Sequence, residues 1–111
     1  MAKEDALAKK EQVILLMDCY RDLLTDKQNE YLTLYYEEDL SLSEVADDMG
    51  VSRTAVYDNI KRAVKTMENY EKRLGLLEKH VERLELIEKL KAENDKRHDE
   101  IDAYLDMLKR I

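Results

Sequence analysis

Apolar residues recur at three- and four-residue steps along most of this chain, the spacing of helices with one buried face. Leu7, Val13, Leu16, Met17, Tyr20, Leu23 and Leu24 share such a face and predict a first helix from about Ala2 to Leu24. Thr25-Asp26-Lys27-Gln28 has the pattern of a capping box, in which the hydroxyl accepts from a free backbone amide and the glutamine reaches back. A second helix starts there, with Leu32, Tyr35 and Tyr36 as its stripe. Glu37-Glu38-Asp39 ends it, because negative charge opposes the C-terminal end of the helix dipole. Ser41-Leu42-Ser43-Glu44 is a second capping box and opens a short third helix, with Leu42, Val45, Ala46 and Met49 facing inward until Gly50 stops it. Ser52 can cap a fourth helix, whose buried face runs through Ala55, Val56, Ile60, Ala63, Val64 and Met67.

From Met67 the steps to Tyr70, Leu74, Leu77, Val81 and Leu84 alternate between three and four residues, a heptad-like stripe interrupted only by Gly75. A glycine inside a helix costs about 1 kcal/mol, so a bend or break is expected there. Ile87 and Leu90 slip out of that register, and residues 92–100 carry no apolar anchor beyond Ala92, which reads as a linker or a solvated helical turn. Ile101, Tyr104, Leu105, Leu108 and Ile111 form a last stripe. The expected architecture is all-α. It comprises a helix-turn-helix domain over residues 1–74, with its motif at about 41–62, and a long C-terminal helical extension over 75–111 that can serve in oligomerisation.

Composition sharpens this. There is no Pro, Trp or Phe and there are only two Gly, so helix breakers and strand-favouring aromatics are both scarce. With 44% hydrophobic residues the chain should fold despite being 41% charged, and 111 residues bound it to one domain with an appendage. The formal net charge of −7 argues against attraction of the whole molecule to nucleic acid or anionic membrane, so any DNA binding must be local. The single cysteine, Cys19, sits in an apolar helical run and reads as a buried packing thiol suited to a reducing cytosol. No apolar run approaches the roughly 20 residues of a membrane span, and the charged N-terminus is unlike a signal peptide; a cytoplasmic location is expected.

Enzyme chemistry finds no foothold. The chain has no glycine-rich phosphate loop, no His-Glu-x-x-His, no paired cysteines and no serine elbow, so neither catalysis, cofactor nor metal is expected. His80 and His98 are isolated on charged stretches and read as surface histidines. Tyr35 and Tyr36 could stack on bases, but at apolar helical positions they read as core with hydroxyls at the rim.

The strongest signal is Leu42-Ser-Glu-Val-Ala-Asp-Asp-Met-Gly50-Val-Ser-Arg-Thr-Ala-Val-Tyr-Asp-Asn-Ile60. Ala46 is small where a crossing helix must come close, Gly50 supplies the left-handed backbone of a tight turn, and Val51, Val56 and Ile60 plug the shared core. This stretch, with Leu24-Thr-Asp-Lys-Gln28, Leu34-Tyr-Tyr36, Leu40-Ser-Leu-Ser-Glu-Val-Ala46 and Val51-Ser-Arg-Thr-Ala-Val-Tyr-Asp-Asn-Ile-Lys-Arg62, resembles the fourth, promoter-reading region of bacterial sigma factors. It more closely resembles the YlxM family of helix-turn-helix proteins, over about Val13 to Leu74. The resemblance implies a cytoplasmic bacterial protein, encoded beside genes of the signal recognition particle and with a regulatory part in that pathway.

In a helix-turn-helix the second helix enters the major groove with its N-terminal residues at base edges. The exposed candidates are Ser52, Arg53, Thr54, Tyr57, Asp58 and Lys61, with Arg53 able to read guanine. Lys61, Arg62 and Lys65 lie farther along, where they would meet phosphates. The same residues also read as an ordinary solvated charged face. Between Asp26 and Arg62 four bases stand against nine acids, a net −5, whereas from Ser52 to Arg73 six bases outnumber three acids, a net +3. So short a basic stripe neutralises few phosphates, each contributing a salt slope of about −0.9, and a monomer should bind DNA weakly. A homodimer seamed along Met67 to Leu84 would set two recognition helices about 34–36 Å apart; the alternative for that stripe is packing within one chain. Two functions follow: a DNA-binding regulator, or a module that keeps the helix-turn-helix shape and binds protein or RNA components of the signal recognition particle.

Overall fold

The computed structural model describes residues 7–94 and 99–111. Its helices are α1 (Lys10–Tyr20), α2 (Asp26–Leu32), α3 (Leu42–Met49), α4 (Arg53–Leu74), α5 (Leu76–Asn94) and α6 (Asp99–Lys109), and no strand occurs among the described residues. The chain divides into two compact units, the first ending at Leu74 and the second starting at Gly75.

In the first unit α1, α2 and α3 all pack on α4. Val13, Leu16, Met17, Tyr20, Leu24, Leu32, Leu42, Val45, Ala46, Val56, Ile60, Ala63, Val64 and Met67 are buried, as their helical spacing predicted. α1 is shorter than expected: Lys9 is extended, and past Tyr20 the chain tightens into a 3₁₀ turn over Arg21–Leu23. That turn, closed by the Leu24 amide donating to the Arg21 carbonyl at 3.1 Å, rotates Leu24 inward and leaves Leu23 52% exposed. Leu23 therefore leaves the buried face on which periodicity put it. The predicted beginning of this helix, residues 2–6, lies outside the described residues. Cys19 is half-buried rather than enclosed, and burial, with the Glu71 and Asp18 carboxylates, pushes its thiol up, which keeps it protonated.

Both capping boxes form. The Gln28 amide donates to the Thr25 hydroxyl at 3.1 Å and the Thr25 amide to the Gln28 side chain at 3.0 Å; Ser41 and Glu44 repeat the exchange at 3.1 and 2.9 Å. After α2 the helix widens into a π turn over Thr33–Glu37, closed by the Glu38 amide on the Thr33 carbonyl at 2.9 Å. A five-residue turn places Tyr31 and Tyr36 on one face, so both are buried, a role periodicity had not assigned to Tyr31. Tyr36 donates to the Ala8 carbonyl at 3.0 Å, and the half-buried Tyr35 meets it edge-on at 4.9 Å. Asp39 then takes a left-handed backbone, φ 59°, which ends the element.

α4 stops at Leu74 because Gly75 is left-handed, φ 61°. The heptad-like stripe is thus divided between two helices: Met67 is buried in the core of the first unit, Leu77 is buried on α5, and Leu74 and Val81 are exposed. One continuous helical seam from Met67 to Leu84 does not form. In the second unit α5 packs on α6, with Ile87 and Leu105 buried, a Lys91–Asp106 ion pair at 2.9 Å and another between Glu88 and Lys109. α5 stays helical through Asn94, so the predicted linker begins later than residue 92, and Asp95–His98, including the expected surface histidine His98, lie outside the described residues. Of the last stripe Leu105 is buried and Ile101 half-buried; Tyr104, Leu108 and Ile111 are exposed.

Candidate nucleic-acid interface

The site is built from the turn outward. α3 ends on Gly50, φ 69°, and the Ala46 carbonyl accepts from both the Gly50 amide and, at 3.1 Å, the Val51 amide. Such a closure reverses the chain within three residues because only glycine takes this backbone without strain. Ser52 starts the next helix: its hydroxyl accepts from the Ala55 amide at 3.0 Å and its carbonyl from the Val56 amide at 3.1 Å. Leu42, Val45 and Ala46 of α3 and Val56 and Ile60 of α4 are buried at the packed helix pair, whereas Val51 and Met49 are half-buried at its edge.

With the apolar face of α4 fixed inward, its other side is displayed. Ser52, Arg53, Thr54, Asp58, Lys61, Arg62 and Lys65 are exposed and Tyr57 is half-buried. At about 100° per residue Thr54, Asp58, Lys61 and Lys65 fall on one stripe roughly 16 Å long, with Arg62 on one flank and Tyr57 on the other. The Lys61 ammonium lies 5.8 Å from the centroid of the Tyr57 ring, one turn back, which draws the charge toward the N-terminal half of the helix. Ser52 already accepts one bond as a cap, which leaves its hydroxyl proton and one further lone pair for a ligand. No acidic residue stands in the first turn of α4, so the helix itself places no carboxylate at the positive end of its dipole.

Sequence reasoning left out Lys72 as a site residue; it is exposed on the same stripe, seven residues past Lys65, a register that spacing alone could have flagged. The electrostatic counterweight is on α3, where Glu44, Asp47 and Asp48 are exposed. The Ser41 amide and hydroxyl hold the Glu44 carboxyl below the usual range, so it is ionised at neutral pH. The candidate interface thus combines a basic stripe on α4 with an acidic face on α3. Among the described residues no group of His, Cys, Asp and Glu is arranged to hold a metal, and no helix is long and apolar enough to cross a membrane.

A short capped helix, a glycine-closed turn and a longer helix crossing it make this an all-α helix-turn-helix protein. The chain belongs to the UPF0122 family, described as "Putative helix-turn-helix protein, YlxM / p13 like", whose model matches residues 7–107 and so takes in both compact units. It is 45% identical over 108 residues to the UPF0122 protein YlxM of Bacillus subtilis, covering 96% of this chain and 98% of that one. A UPF0122 protein of Listeria innocua is 42% identical over 106 residues, with 93% and 96% covered, and one of Exiguobacterium sibiricum 51% identical over 85 residues, with 77% and 80% covered.

Proposed function

We propose that this protein is a cytoplasmic DNA-binding regulator that acts as a homodimer. The observation that carries the reading is the exposed basic stripe on α4, the helix that follows the glycine-closed turn. In this reading Arg53, Thr54, Tyr57 and Asp58 meet base edges, Ser52 donates its hydroxyl proton to a phosphate, and Lys61, Arg62 and Lys65 contact phosphates farther along the groove. Few phosphates are neutralised, so affinity per monomer is weak and falls steeply with salt. A salt titration of binding to duplex DNA tests it. Arg53→Ala with Lys61→Ala should weaken binding at least tenfold, and each phosphate-contacting lysine lost should reduce the salt slope by about 1. Absence of affinity at low salt, or no loss in the double variant, overturns the reading.

The exposed carboxylates of α3 favour a second reading, in which the same shape docks on a protein or RNA component of the signal recognition particle. The link to that pathway rests on the family resemblance alone. Recovery of that machinery by a tagged chain, without enrichment of DNA, would select this second reading.

A further inference from the structure

The second unit leaves an apolar face uncovered. Leu86 and Leu90 on α5, and Tyr104, Leu108 and Ile111 on α6, are between 45% and 87% exposed. The Lys91–Asp106 and Glu88–Lys109 pairs align the antiparallel helices, so these five side chains occupy the same length of the hairpin. At about 100° per residue they also point away from the ion-paired edge of their own helices. Together they expose on the order of 500–600 Å², at the upper end of the largest patch a typical monomer shows and a large part of the roughly 800 Å² each partner gives to a standard interface.

The register of α5 says what fits there. A two-fold interface must be complementary to itself, with residue i meeting j and j meeting i. About Glu88, the exposed side of α5 reads Arg83, Leu86, Leu90, Glu93. Crossing a second α5 antiparallel at that point sets Leu86 on the partner's Leu90 and Arg83 on the partner's Glu93, with both relations repeated by symmetry. Area, apolar match and charge match therefore converge on one occupant.

We infer that the seam of the homodimer is this face, α5 crossing α5 of a second copy antiparallel about Glu88, with Tyr104, Leu108 and Ile111 of α6 closing over its sides. The inference rests on the homodimer reading above and replaces the Met67–Leu84 seam expected from the heptads. Arg83 and Glu93 are ten residues apart on one helix, about 15 Å, too far for a disulfide within a chain. Across the proposed seam they face each other.

Sedimentation of the full chain at micromolar concentration, with circular dichroism to verify helicity, tests this. The natural chain should be dimeric and Leu86→Glu with Leu90→Glu monomeric at unchanged helicity. Arg83→Glu and Glu93→Arg should each weaken the dimer about tenfold and together restore it. Arg83→Cys with Glu93→Cys, in a Cys19→Ser background, should yield a covalent dimer on mild oxidation. A monomeric natural chain overturns the homodimer reading and the seam together. A dimer that withstands the leucine changes, shows no charge-swap rescue or forms no cross-link overturns the seam alone.

Discussion

Arg21 shows how much one side chain can hold at the surface of this fold. Its guanidinium donates to the Glu37 carboxylate at 2.9 and 3.3 Å and to the Thr33 hydroxyl at 3.2 Å, pinning both ends of the π turn to the 3₁₀ turn after α1. Arg21, through its hydrogen bond, holds the Glu37 carboxyl below the usual carboxylate range. A depressed carboxylate stabilises the fold above its unfolded value, 4.5, and that contribution is lost as pH falls through the lower folded value. Glu37→Gln should therefore lower stability at pH 7 and flatten the acid limb of the stability profile. The Glu37 side chain is 35% exposed, so solvent screening keeps the effect below about 1 kcal/mol. Urea midpoints of both proteins from pH 7 to pH 3 check this; equal slopes in the acid limb would remove Glu37 as its cause.

Elements differ in how far the chain announced them. The two capping boxes were legible because their bonds close within three residues, and Gly50 and Gly75 because a left-handed position leaves few other choices. The π turn was not, since its extra residue is held by groups distant in sequence: Arg21 on Glu37, Lys10 on Asp39 at 2.6 Å, and Tyr36 on Ala8. Leu23 lies off the face its spacing predicts for a related reason, because apolar periodicity cannot tell where an α-helix tightens into 3₁₀. In the candidate site the exposure of Arg53, Asp58, Lys61 and Lys65 followed from the buried face of α4. The ring contact between Tyr57 and Lys61 needed side-chain geometry. Ala46 tests the crossing itself: it is buried against α4 and its small size permits the close approach. Ala46→Leu should cost about 1–3 kcal/mol by overpacking, whereas Ala55→Leu, half-buried on the first turn of α4, should cost less. Thermal unfolding of the two variants separates them, and equal losses would mean that α3 and α4 are not closely packed at Ala46.

At the scale of the molecule, fold and charge divide differently. Residues up to Arg73 carry a net −5 of the total −7, so the helix-turn-helix is itself the more acidic part and its basic stripe is a local exception. The buried residues of α1 to α4 all precede Leu74, and Tyr20 ties α1 to the distal half of α4 by stacking on Tyr70 at 5.9 Å and donating to Glu71 at 2.5 Å. A core closed in this way should not need the hairpin beyond Gly75. Residues 1–74 alone are accordingly predicted to be helical and monomeric and to unfold in one cooperative urea transition. If DNA is the ligand, the fragment should keep the salt slope per monomer while losing the affinity that pairing two recognition helices adds. A fragment without a cooperative transition would mean that the core of α1 to α4 depends on residues after Gly75. A dimeric fragment would move the self-association surface into the helix-turn-helix unit, and the Leu86 and Leu90 seam would fall with it.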